Sequence, residues 1–272
     1  MVCGVTRPSW VTDGIDLNLP SASRVYDFYL GGFHNFSSDR EMAERAIRDW
    51  PELPLIMRSN RAFLRRAVSY LIDQGVRQFL DIGSGIPTVG NVHEIAHELA
   101  PDSRVVYVDI DPVAVAHSEA ILADNPNATI VAGDFRRPAE ILEDPAVTEM
   151  LDFDQPVAIL LVALLHFVGD DDSPSELIAT FRDALASGSY LTVSHATHEL
   201  HPPELIDFHR DLYRKTATPM TMRTRTEVTG LFDGFTLVEP GIVLSDHWHP
   251  DTADFAEHAE RHPIWAGIGR RP

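Results

Sequence analysis

The sequence predicts an α/β fold: an open, mostly parallel sheet covered by helices on both faces and preceded by a helical lead. Three observations carry this. Five short apolar runs alternate with helical stretches from Val76 onward, the pattern of strands joined by crossover helices. Within each run the apolar residues are continuous more than alternating, as in strands covered on both faces. The first run ends in a glycine turn, Asp81-Ile82-Gly83-Ser84-Gly85, at a strand end where such sheets bind their ligands.

In chain order, the lead comes first. Over residues 20–74, Ser38-x-x-Glu41 reads as a capping box, and Leu55, Ile56, Phe63, Ala67, Val68, Leu71 and Ile72 recur at helical spacing until Gly75; about three helices are expected. The strand runs are 76–82, 104–110, 128–133, 156–165 and 189–195. Asp144-Pro145 and Ser173-Pro174-Ser175-Glu176 mark helix starts between them. After Thr224-x-x-Glu227 opens another helix, residues 234–240 and 241–248 read as two strands joined through Pro240-Gly241, an antiparallel hairpin at the sheet edge. The expected division is a helical cap or lid over residues 1–75 and a ligand-binding sheet domain over 76–272.

Composition narrows the function. Apolar residues make up 44% and charged residues 23% of the 272, an ordinary globular balance. The longest apolar run, Val157 to Leu165, is nine residues, against roughly 20 for a membrane span. The amino terminus lacks a signal-peptide pattern, so a cytoplasmic location is expected. Cys3 is the single cysteine, which excludes an internal disulfide and a cysteine zinc site. With 22 Lys plus Arg against 41 Asp plus Glu, the formal charge is −19, the opposite of what phosphate backbones attract. Neither nucleic acid nor a membrane is expected as a partner; a small molecule is, with a homodimer as the assembly.

The glycine turn carries the chemistry. A dinucleotide fingerprint needs a third glycine where Thr88 stands, which disfavours a nicotinamide-dependent oxidoreductase. What remains is Asp-x-Gly-x-Gly, whose carboxylate repels a phosphate and meets an ammonium group; a tight turn with no ligand is the competing reading. Asp109 ends the second run, where a carboxylate accepts both ribose hydroxyls. Asp134 ends the third in Gly133-Asp134-Phe135, where an acceptor and a ring suit adenine. Taken singly, each fits a helix start or a turn. Three at successive strand ends, in this order, point to one ligand.

DIGSG, then VYVDID, AGDF and ILLVALLHFV, resemble the class I S-adenosylmethionine-dependent methyltransferases. The stretch from Ala22-Ser23-Arg24-Val25-Tyr26 through Gly31-Gly32-Phe33-His34-Asn35-Phe36, with Asp39-Arg40 and Arg58-x-Asn60-Arg61-x-Phe63-Leu64, is similar to the actinobacterial S-adenosyl methyltransferase family, formerly a domain of unknown function. This second likeness runs from about residue 16 to Trp265-Ala266-Gly267-Ile268-Gly269-Arg270, nearly the whole chain. The resemblance implies a Rossmann-like three-layer sandwich with a seven-stranded sheet, and S-adenosylmethionine as cofactor. It implies cofactor contacts by Asp81, Gly83, Gly85, Asp109 and Asp134; Ser84, Ile110, Phe135 and Ala163 beside them complete the expected set.

Methyl transfer needs an aligned approach and exclusion of water. His166, just past the fourth strand, stands where a base would take a proton from the acceptor; a packed or capping histidine is the alternative. The Asn/Asp-Pro-Pro-aromatic motif of base and glutamine methylation is replaced by Ala163-Leu164-Leu165-His166. Gly31-Gly32 reads as a hinge or close-approach point in a lid, with Tyr26, Asn35, Arg58, Asn60 and Arg61 lining the pocket, one arginine pairing the methionine carboxylate; a plain helical cap with solvated arginines is the competing reading. His195 is expected to face the acceptor. Asp170-Asp171-Asp172 and the histidines at 195, 198, 201, 247 and 249 lack a recognisable ligand set, so no metal is expected. A cofactor-binding sensor without turnover would share every cofactor residue.

Overall fold

A computed structural model describes residues 16–87, 90–213, 219–252 and 259–272; Cys3 and Thr88 lie outside the described residues. Three helices form the lead: α1 Ala22–Tyr29, α2 Ser37–Asp49 and α3 Leu53–Asp73. The capping box expected at Ser38 and Glu41 is displaced by one turn position. Asp39 accepts the Phe36 N–H at 2.8 Å, and Ser38 Oγ donates to the Leu17 carbonyl instead.

From residue 78 strands and helices alternate: β1 Gln78–Ile82, α4 Val92–Leu99, β2 Arg104–Asp109, α5 Pro112–Leu122, β3 Ala128–Ala132, α6 Pro138–Leu142, α7 Pro145–Met150, β4 Ala158–Val162, α8 Pro174–Ala184 and β5 Tyr190–Ala196. Prolines at the first helical position open four of these helices, where their missing N–H costs nothing. The chain continues with α9 Pro203–Tyr213, α10 Arg225–Gly230, β6 Thr236–Leu237, β7 Val243–Leu244 and β8 Ile264–Arg270. Thr224 and Glu227 cap α10 reciprocally. Among the described residues, no helix is long and apolar enough to cross a membrane.

The sheet runs β3-β2-β1-β4-β5-β8-β6, parallel through β5, with β8 antiparallel beside it and β7 also on β8. The α/β class with an antiparallel edge stands, but the sheet has eight strands against the expected seven, because the last edge is shared by two short segments, and the hairpin is not formed. Segments β6 and β7 do not pair with each other; each pairs with β8, through Leu237↔Gly269 and Leu244↔Trp265. The reason lies in the glycines of β8. A Cβ at Gly269 would lie 2.7 Å from Phe232, and one at Gly267 would meet the Gly241 carbonyl at 3.1 Å, so the Pro240-Gly241 turn lies down on the strand instead of reversing the chain.

Side chains alternate across the sheet. Phe79, Val105, Tyr107 and Leu160 pack beneath α3 and α4; Leu80, Ile82, Val106, Val108 and Ile159 pack on the opposite face beneath α6, α7 and α8. By this parity Asp81 points to the α3 side. Phe63, Leu64, Ala67, Val68 and Leu71 of α3 belong to the sheet core, whereas Val25, Ala43, Trp50, Leu53 and Ile56 form a separate cluster with Tyr213 and Ile264. The expected boundary at residue 75 therefore falls after a helix already built into the sheet.

A buried ion-pair network ties the lead to the strand ends. Arg24, 4% exposed, donates from Nε to Asp39 at 2.8 Å and from Nη1 to Asp111 at 3.2 Å. Ser21 donates its N–H to Asp39 and its hydroxyl to Asp111. Removing one partner of such a pair strands a charge in the interior. Asp39→Ala is therefore expected to cost about 3 kcal/mol, read from urea unfolding; a loss under about 1 kcal/mol would mean that the network adds nothing beyond a surface pair.

Candidate active site

A cavity of about 680 Å³ opens at the carboxyl ends of the five parallel strands, roofed by residues 16–26 and by the first half of α3. Its volume lies in the usual range for small-molecule sites. The turn after β1 forms the floor. Gly83 and Gly85 have φ of +72° and +69°, conformations that glycine takes without strain. A Cβ at Gly85 would point into open space, whereas one at Gly83 would lie 2.6 Å from Leu164. Gly83 is thus required by a neighbour's packing, and Gly85 borders the void. Ser84 Oγ is buried in the same wall without a hydrogen-bond partner.

Asp81 lines the cavity at 6% exposure, and burial pushes its carboxyl up to about 7, with Arg61 pulling down and Asp109 pushing up. Arg61, on the overlying helix, lies over the Tyr26 ring, its Nε buried without a hydrogen bond. The two opposite charges act on each other, but no salt bridge joins them. Such a gap accommodates an ammonium on one side and a carboxylate on the other.

Asp109 lies one strand over. Its Oδ2 accepts the Gly85 N–H at 2.7 Å and its Oδ1 the Asp111 N–H at 2.8 Å. Burial raises its carboxyl to about 6, and those backbone donors pull against the rise. Asp109 holds the glycine turn as well as facing the void. Ile110, 57% exposed, presents an apolar side chain at the rim, a surface that suits a base. Asp134 also lines the cavity, gripped by the Arg136 guanidinium at 2.8–3.0 Å; burial alone would raise its carboxyl, and Arg136 holds it below the usual value. The Phe135 ring is 3% exposed and stacks on Phe181 at 5.6 Å, so it is committed to the core. Ala163 ends β4 with φ +58° and donates its N–H to Ser194 Oγ.

Tyr26 and Asn60 line the cavity and are joined: Asn60 Nδ2 donates to the Tyr26 hydroxyl at 3.0 Å and Asn60 Oδ1 accepts from Ser194 at 2.6 Å. His166 lines it too, with burial, then His195 and Arg223, pushing its ring well below the ordinary histidine value. Its Nδ1 accepts the Ala196 N–H at 3.4 Å, which puts the proton of the neutral ring on Nε2. The expected base therefore presents a donor.

Three expected pocket residues lie elsewhere. Asn35 donates to Asp27 and the Gly32 carbonyl, pinning the glycine loop; a Cβ at Gly32 would overlap the Asp27 carboxylate, so that glycine is a close approach within the lead, outside the cavity wall. Arg58 is exposed on the outer side of α3. His195 is fully buried behind the wall, where Arg223 donates to its Nε2 at 2.9 Å and its Nδ1–H donates to the Ala196 carbonyl; burial pushes it down to about 4. Arg223 also takes Asp170 as a salt-bridge partner. The sequence reading missed Trp50, Met57, Phe167, Tyr213, Met220 and Met222, all in the lining. Their only signal was apolar spacing, which does not separate a pocket wall from a core.

The geometry is that of a site for an amino acid joined to a nucleoside. Residues 8–272 match the family model described as S-adenosyl methyltransferase. A DUF574 family protein from Streptomyces avermitilis MA-4680 has a solved structure that is 40% identical, with a TM-score of 0.90 over 94% of this chain and 99% of that one. A protein from Thermobifida fusca YX assigned as a methyltransferase gives 40% identity and a TM-score of 0.90 over 97% and 99%. No curated protein matches the chain. With the family model spanning all but its first seven residues, the chain belongs to the S-adenosyl methyltransferase family and is an S-adenosylmethionine-dependent methyltransferase.

Proposed function

We propose that the cavity is the methyl-transfer site and that the acceptor is a small molecule. The observation that carries this is the unjoined pair Asp81 and Arg61 inside one cavity, matched in sign and placement to the zwitterionic end of S-adenosylmethionine. When bound, the cofactor supplies a methyl carbon made electrophilic by its sulfonium, and transfer leaves the electron pair on sulfur. Asp81 takes the ammonium, Arg61 the carboxylate, Asp109 the ribose hydroxyls and Ile110 a face of the base. Asp134 offers its remaining acceptor capacity to the amino edge. The roof excludes water, and His166 donates from Nε2 to a polar atom of the acceptor beside Ala163, orienting the nucleophilic O, N or C atom, whose proton, where methylation displaces one, passes to solvent as the product leaves. A polymer does not suit a site enclosed beneath the lead, and the charge of −19 repels nucleic acid.

Calorimetric titration with S-adenosylmethionine and S-adenosylhomocysteine, with NADH as control, tests the site; saturable binding of the first two alone is expected. Only ionised Asp81 pairs with an ammonium. Affinity therefore rises with pH towards about 7 and falls by up to about tenfold per pH unit below that. Asp81→Asn should bind at least about tenfold more weakly and without this limb. A wild-type affinity independent of pH would remove Asp81 from the ammonium site. Asp109→Ala should also weaken binding by at least about tenfold, and unchanged affinity would relocate the ribose.

Stability of the free protein runs the opposite way. The folded state holds the Asp81 proton more tightly than the unfolded chain, so this group's contribution is complete below pH 3.8 and is lost as pH rises through about 7. Between pH 5 and 8, Asp81→Asn should gain on the wild type by an amount bounded at roughly 3 kcal/mol, read from urea unfolding at the two pH values.

A further inference from the structure

The cavity is not uniform along the sheet. Its charged lining lies at the ends of β1, β2 and β3, in the strap before α1, and in Arg24 and Arg61, which act on Asp111 and Asp81. Past Ala163 the character changes. The walls beyond the ends of β4 and β5 are built from Trp50, Met57, Phe167, Tyr213, Met220 and Met222, and among the described residues this part of the lining holds no Asp, Glu, Lys or Arg. Its titratable groups are uncharged as well. The ring of His166 is held neutral by burial, as is that of His195 behind the wall. The hydroxyls of Tyr29 and Tyr213 act on each other, and burial pushes Tyr213 up to about 12.

We propose that this chamber takes an uncharged, flat, largely apolar acceptor and rejects molecules carrying a carboxylate or an ammonium. The inference rests on the reading of the cavity as the methyl-transfer site. Aromatic rings and thioethers present large polarisable faces, and the thioethers adapt to a ligand's outline. A charge brought into such walls loses its hydration and finds no counter-charge. The donor at His166 Nε2 and the hydroxyls of Tyr29, Thr197 and Tyr213 in the lining orient one polar atom of the acceptor. The net charge of the whole chain has no bearing on this; the chamber is a neutral pocket within an acidic protein.

The test is calorimetric titration of the protein saturated with S-adenosylhomocysteine, using two matched series: indole, indole-3-acetate and tryptamine; and 2-naphthol, 3-hydroxy-2-naphthoate and 1-naphthylmethylamine. The expected result is that at least one uncharged member binds, and that its anionic and cationic counterparts bind at least about tenfold more weakly. A charged member binding as well as its uncharged counterpart, or within tenfold of it, overturns the proposal, as does the failure of both uncharged members to bind. Met57→Asp, with its affinity for S-adenosylhomocysteine measured alongside, should reverse the order towards tryptamine, and an unchanged order in a variant that still binds S-adenosylhomocysteine overturns the proposal. Loss of S-adenosylhomocysteine binding by the wild-type protein is a different failure. It would overturn the reading of the cavity itself, and the acceptor class with it.

Discussion

A guanidinium almost without access to water lies between two carboxylates, and the site is assembled around it. Arg24 joins Asp39 of α2 to Asp111 at the end of β2, and Asp111 gives its backbone N–H to Asp109, which in turn accepts from Gly85. One chain of hydrogen bonds thus runs from the roof, through the clamp, to the turn at the cavity floor. Desolvating a cation and two anions is costly, and such an arrangement persists only when every donor has a partner. Each of the three nitrogens of Arg24 donates, the third to the Leu19 carbonyl in the strap that covers the cavity. The geometry of the roof and that of the cofactor floor are therefore set together.

The second constraint is the burial of Asp81. A carboxylate in an apolar strand end is unfavourable by itself, and the sheet keeps it because the alternation of side chains leaves that position pointing beneath α3, where Arg61 lies. The site is preorganised at the expense of the empty protein. A ligand bearing an ammonium relieves that cost, so part of its binding free energy comes from an unfavourable term in the free state rather than from a strong contact alone.

The sheet core was legible because parallel strands read as continuous apolar runs, and each of the five appears where its run lies. The edge was not. The sequence reading places no strand over 264–270, where Gly267 and Gly269 weaken the strand pattern, and only the rings and loop lying across them show why no side chain is admitted. The charged side of the cavity was legible for a related reason: Asp81, Asp109 and Asp134 lie at or just past the carboxyl ends of β1, β2 and β3, so their order in the sequence is their order in space. Placing Asn35, Arg58 and His195 needed information that spacing does not carry. A helix turns a residue outward or inward over a single position, as Arg58 and Asn60 show, and a histidine at a strand end faces the ligand or the layer behind it according to parity. The apolar chamber was hidden most deeply, since its residues come from the end of α2, α3, the segment after β4, α9 and the stretch before α10, and are brought together only by the fold.

Helix α3 changes allegiance along its length. Up to Arg61 its inward residues belong to the roof of the cavity; from Phe63 they belong to the sheet core, with Leu64 bordering both. The place at which acceptor preference separates from the catalytic scaffold is therefore inside one rigid helix and not in a linker. Exchange of roofs between family members, whether by recombination or by design, would have to be spliced in register within that single turn, because a junction at the loop before β1 would carry foreign sheet-packing residues along with the new pocket.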